Sequence, residues 1–150
     1  MTELMWIRSH VERCLADEWG TCQVVADEDG DYPFRFGSAS CWVTLLASEP
    51  PMVRVFAYAV RGVRPSAKLL SELNSIQNSA LSASIALSEG IVVVSQTISP
   101  IGLSSEVLAQ AMLGVGGLAD NVGVLLAGMF GGYTPCAPIE EVSEEDARDG

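Results

Sequence analysis

Positive charge is scarce in this chain. Lys and Arg number eight against nineteen Asp and Glu, a formal net charge of −11. The eight are scattered at Arg8, Arg13, Arg35, Arg54, Arg61, Arg64, Lys68 and Arg148. A nucleic-acid surface needs cations in a run to displace counterions, and an anionic membrane needs a basic cluster; neither partner is expected. Histidine is scarcer still, with His10 alone. The four cysteines, Cys14, Cys22, Cys41 and Cys136, include no CxxC pair, so the close thiolate and imidazole pairs of a zinc site are missing and no metal is expected. There is no phosphate loop, dinucleotide fingerprint, G-x-S-x-G elbow or H-E-x-x-H helix, so no cofactor and no catalytic residue is assigned. The first turns carry Glu3, Arg8, Glu12, Arg13 and Asp17 without an apolar core, unlike a signal peptide. Reduced thiols in a cytoplasmic protein are the expectation.

What is abundant is apolar surface. Forty-nine per cent of the residues are hydrophobic and 18 per cent charged, with a mean hydropathy of +0.31. One domain of 150 residues can bury a core of that size without disulfides. The surplus implies dense internal packing or an apolar face kept for a partner.

The pattern alternates between helical and strand periods. A helix is expected from a Thr2 cap to about Glu18, with Leu4, Met5, Val11, Cys14 and Leu15 on one side. Cys22–Ala26 reads as a short strand and Asp27–Asp31 as a turn. Pro33–Phe36 reads as an edge strand, since Pro is tolerated there. Ser40–Ala47 and Met52–Arg61 read as strands with apolar residues on both faces. A short helix follows a Ser66 cap and ends near Asn78. The segments 81–87 and 91–98 form a hairpin around Glu89-Gly90. A last, long helix opens at Ser104. The expected fold is therefore α+β: an antiparallel, twisted sheet of five or six strands with helices packed on it.

The last helix carries an unusually broad apolar stripe. Its uncharged run from Val107 is interrupted by Asp120 and Asn121, and falls short of the ~20 residues that span a bilayer, so a buried helix is expected. Its other side holds Gly114, Gly117, Asn121, Val124 and Gly128 in place of Lys and Glu. Glycine costs ~1 kcal/mol against Ala within a helix. These five are candidates for close packing against the sheet or against a second subunit. The domain is expected over residues 1–133, with 134–150 as an acidic, disordered tail.

Three groupings could carry chemistry. His10 and Cys14 lie four apart on the first helix, the spacing of a Cys-His pair, but no third group is identifiable and a solvated histidine is expected. Asp27, Asp29 and Asp31 mimic the start of a calcium loop, yet Tyr32 stands where the loop needs Gly and Ser38 where it needs Glu. Arg54, Arg61 and Arg64 could form an anion site, against the commoner surface pairing with Glu49 or Glu72.

Three stretches resemble YbjN-type domains: 27–43 (DEDGDYPFRFGSASCWV), 51–57 (PMVRVFA) and 69–78 (LLSELNSIQN). The likeness covers about residues 3–130; the glycine-bearing last helix and the acidic tail depart from it. Such domains are grouped with the type III secretion chaperone fold, exemplified by the Tir chaperone. The resemblance implies the order α-β-β-β-α-β-β-α, homodimers, no catalysis and the binding of extended client peptides. Phe34, Phe36, Trp42, Phe56 and Tyr58 are the candidates for peptide binding, because their strands are apolar on both faces; ordinary core is the alternative for each. Two rivals remain: a self-assembling structural or regulatory subunit whose apolar face is only a homodimer interface, and a small-molecule binding domain or unrecognised enzyme, which would need a closed, polar-lined pocket.

Overall fold

The computed structural model describes residues 3–137. Helix α1 (Glu3–Trp19) is followed by strands β1 (Tyr32–Phe36), β2 (Ala39–Leu46) and β3 (Met52–Arg61). Then come α2 (Ala67–Ser79), the hairpin β4 (Ser84–Ser88) and β5 (Ile91–Ile98), and α3 (Ser105–Phe130). The strands form one antiparallel sheet in the order β1-β2-β3-β5-β4, so β1 and β4 are its edges. This is the α-β-β-β-α-β-β-α order expected, with five strands. Thr2 and the acidic stretch from Glu140 lie outside the described residues.

Period-two alternation decides the core face. Ala39, Cys41, Val43, Val53, Val55, Ala57, Ala59, Val92 and Val94 are buried, and α3 lies across them. Ile7, Val11, Cys14 and Leu15 of α1 and Leu69 and Leu73 of α2 complete one continuous core. Local signals fix the ends of the elements. The Ser66 and Ser104 hydroxyls accept the N–H of Leu69 (3.1 Å) and Val107 (3.2 Å), capping α2 and α3. Glu89 (φ +51°) and Gly90 (φ +78°) make the tight hairpin turn, whose two left-handed positions favour Gly.

The structure bears on four expectations and corrects the first two. Cys22–Ala26 pairs with no strand, and Val25 is 72% exposed. Its apolar run crosses the surface and gives way to a turn in which the Asp27 carboxylate accepts the N–H of Asp29 and Asp31. Val60, which unbroken alternation from Val53 would turn outward, is fully buried, because the β3–β5 register shifts between Tyr58 and Val60.

The third concerns α3. Gly114 and Gly128 have open space where a Cβ would stand, and Asn121 and Val124 are exposed. Only Gly117 has a neighbour there, the Phe36 ring at 3.9 Å. Close approach to the sheet is instead made by Gly116, against Phe36, and Gly123, where a Cβ would fall 2.2 Å from the Ala59 carbonyl oxygen. Of the candidate glycines, Gly114 and Gly128 thus have no close packing partner among the described residues. Helix α3 is long and apolar enough to cross a membrane by length and composition, but here it is the helix that covers the sheet.

The fourth concerns the expected tail boundary. Residues past 133 stay on the sheet: Arg61 and Tyr133 exchange backbone hydrogen bonds (2.8 and 3.0 Å), and Cys136 donates to the Ser38 carbonyl (3.0 Å).

A candidate peptide-binding surface

The chemically suggestive groupings dissolve first. His10 Nε2 lies 2.6 Å from the Leu103 carbonyl. A carbonyl only accepts, so that nitrogen holds the proton and cannot take one from a thiol. The ring also stacks on Trp6, with centroids 5.6 Å apart, so His10 is not the solvated group expected. Cys14 Sγ is 3.9 Å from Nε2, and burial pushes its thiol above the ordinary value, opposite to what a nucleophile needs. The Asp27 carboxylate is spent on its turn, and no cluster of three metal-ligating side chains exists among the described residues. Arg54 donates to the Thr97 hydroxyl (3.2 Å), while Arg61 covers the Tyr58 ring (5.1 Å). These two stand at opposite ends of β3, about 23 Å apart at ~3.3 Å per residue, so no anion site forms.

The five candidate aromatics separate into two groups. Trp42, Phe56 and Tyr58 point away from the helices. Register explains how they meet: Trp42 is directly opposite Phe56, and Ser40 opposite Tyr58. The Trp42 and Phe56 rings stack at 5.1 Å and 18°, and Tyr58 lies tilted against both, at 4.9 and 6.0 Å. All three are half-buried. Cross-strand aromatic pairs of this kind stabilise a sheet by roughly 0.2–1 kcal/mol each. They also leave an apolar aromatic platform facing outward.

Phe34 and Phe36 take the other face, opposite Cys41 and Ala39. With Trp19, Met112 and Leu113 they line a groove of about 140 Å³ between β1, the end of α1 and α3. Groove and platform lie on opposite faces of the sheet, and the edge strand β1 borders both. Among the described residues its outer side has no strand partner.

The sequence reading missed two features. One is a cleft of about 400 Å³ beside Trp6 and Ile101, both largely exposed. The other is the β1–β2 turn: the Asp120 carboxylate accepts the backbone N–H (2.8 Å) and hydroxyl (2.7 Å) of Ser38, a fully buried residue. The signal for it was present as the one charge beyond the first turn of the long apolar helix.

Comparison with known proteins now bears on this geometry. No curated protein matches the sequence. Among solved structures, the ExsC–ExsE complex contains a chain with a TM-score of 0.65 and 18% identity, covering 84% of this chain and 97% of its own. The HopA1–SchA chaperone–effector complex gives a TM-score of 0.59 and 14% identity, covering 78% and 92%. These likenesses establish the fold. The family model for type III secretion (YopN, CesT) and YbjN peptide-binding chaperones matches residues 5–138, nearly the whole described chain. The chain therefore belongs to the type III secretion and YbjN peptide-binding chaperone family.

Proposed function

We propose that this protein is a non-catalytic, cytoplasmic chaperone that holds an extended segment of a client protein along the β1 edge. The observation that carries this reading is the edge itself. A strand added to β1 would send alternate side chains to opposite faces. One set would lie over Pro33 and Arg35, at the border of the Trp42–Phe56–Tyr58 platform, and the other would meet the Phe34–Phe36 groove. Backbone hydrogen bonds would give affinity without sequence preference, and the two apolar surfaces would select hydrophobic clients. The solved relatives include a chaperone–effector complex, which supports the same role.

Fluorescence binding of peptides chosen from an array of overlapping protein segments tests it. Trp42→Ala and Phe56→Ala should each weaken binding at least tenfold while keeping a cooperative melt, because neither ring is part of the core behind the sheet. Undiminished binding by both variants overturns the platform's role.

A second reading has its own observation. On α3, Val107, Leu113, Val124, Leu125 and Met129 are exposed beside Gly114, Gly117, Asn121 and Gly128. This outer side supports a homodimer, and the apolar surplus then serves assembly.

A further inference from the structure

The backbone of the β1 edge is not equally free along its length. Asp31, just before the strand, is tied to its own turn: its N–H donates to the Asp27 carboxylate (2.9 Å) and its carbonyl accepts the Asp27 N–H (2.8 Å). Both groups therefore point away from β2. Strand backbone alternates in twos, so the groups of Pro33 and Arg35 point the same way, while Tyr32, Phe34 and Phe36 bond to β2. Proline at 33 thus removes no bond from the β1–β2 ladder, but it leaves that position without an outward N–H. Arg35 is the one residue of β1 that offers an incoming strand both an N–H and a carbonyl.

The same residue is the cation of this edge. The five strands contain no Asp or Glu, and their three cations, Arg35, Arg54 and Arg61, stand on the outer face of the sheet. Arg35 is exposed. Its Nε donates to the Gly37 carbonyl (2.7 Å) and its Nη2 to the Ala137 carbonyl (2.6 Å). These neutral acceptors hold the guanidinium at the end of the edge and leave it N–H groups for a carboxylate. The neighbouring carboxylates among the described residues are turned elsewhere. Asp120 is bonded to Ser38 on the helix side, and Glu18 lines the groove on the other face. Asp31 accepts the Thr44 hydroxyl four positions back, about 13 Å away at ~3.3 Å per residue.

We propose that Arg35 sets both the register and the charge of the client: the segment bound along β1 places an Asp or Glu directly opposite Arg35, between apolar residues. The inference rests on the β1 edge being the client site. An antiparallel segment makes its paired backbone bonds at the residue opposite Arg35, with the two Cα atoms about 5.5 Å apart and both side chains on one face. A carboxylate there meets the guanidinium. The residues before and after it turn to the other face, opposite Phe34 and Phe36, where the groove takes apolar side chains. The next outward residue faces Pro33 beside Trp42. A Lys or Arg opposite Arg35 is repelled, and an acid moved to the other end of the edge meets Asp31. The net charge of −11 does not cancel this preference, because charges more than ~8 Å away are largely screened at physiological ionic strength.

Fluorescence anisotropy of labelled array peptides tests it. Peptides that bind the natural chain should carry a carboxylate between apolar residues. Replacing that acid by glutamine should weaken binding about threefold, and by lysine about tenfold, as cross-strand charge pairs do. Arg35→Glu should invert the order, so that the lysine peptide binds best. Equal affinity of the acid, glutamine and lysine peptides for the natural chain overturns the charge preference, whatever Arg35→Glu does to folding, and leaves the edge as the client site. Methylating the backbone nitrogen of the acidic residue should weaken binding about tenfold or more through the lost hydrogen bond, while its two neighbours tolerate the methyl group. The reverse pattern overturns the register. Tolerance of the methyl group at every position overturns strand addition along β1 itself.

Discussion

A carboxylate in the middle of an apolar helix needs partners. Asp120 has two in Ser38, 82 positions away, and their meeting closes the β1–β2 turn under α3. The adjacent Gly37 (φ +57°) would place a Cβ 2.3 Å from the same carboxylate, so the turn is shaped around it. Asp120→Ala leaves a buried hydroxyl and N–H without acceptors and should destabilise the protein by ~2 kcal/mol in urea denaturation. Asp120→Asn keeps an oxygen there and should lose less. The cysteines provide a second residue-level prediction. Burial in the core drives the Cys41 thiol from 9.0 up to about 12. The protonated form is thus favoured by folding: its stabilisation is complete below pH 9 and is lost as pH rises towards 12. Cys14 and Tyr32 are shifted the same way by burial. Alkaline titration of the melting temperature should fall across this window, and Cys41→Val should flatten the fall. An unchanged slope in that variant would remove Cys41 from the account.

At the level of elements, period and punctuation carried most of the information. Strands β3 and β5 begin and end where alternation and flanking turns place them. Ser66, Ser104 and the Glu89-Gly90 turn mark their elements by local chemistry. The Cys22–Ala26 segment has strand composition but no ladder, and composition cannot say whether a neighbour is within reach. Helix α3 shows the same limit. Counting apolar residues makes its stripe too wide and leaves glycine out of it. Gly116 and Gly123, seven apart, lie within the buried side, and their contacts with Phe36 and Ala59 depend on where the sheet sits. The two kinds of helix glycine should therefore answer differently to one methyl group. Gly114→Ala, in open space, should be neutral or stabilising by up to ~1 kcal/mol through helix propensity. Gly123→Ala must push α3 off a backbone carbonyl and should destabilise by ~2 kcal/mol or more. Thermal melts of the pair check both signs.

For the whole molecule, the sequence showed an apolar surplus but not its distribution. The five candidate aromatics occupy neighbouring strands and similar contexts, yet strand parity sends Phe34 and Phe36 to the helix side and the other three outward. Parity follows from register, which the residues of one strand do not contain. The exposed side of α3 is a separate reserve of apolar surface, and assembly through it is a question of mass. If it joins two copies, light scattering should give twice 15.9 kDa for the natural chain and the single-chain mass for Val124→Glu. The same mass for both would reject that interface. Platform and helix stand on opposite sides of the sheet, so the two experiments read independent surfaces.

The irregularity between Tyr58 and Val60 has an effect beyond its own hydrogen bonds. A strand counts in twos, and every odd residue of β3 from Val53 to Ala59 turns inward. Continued unbroken, that count would aim the Arg61 guanidinium into the core. One extra residue resets the parity: Val60 goes in, and Arg61 comes out to cover Tyr58. Removing Ala59 would change length by one residue and composition hardly at all. It would restore unbroken alternation with Val60 still inward and Arg61 still outward, whereas a strand of the present length without the irregularity would turn both over. The cation that borders the platform is there because the strand miscounts once.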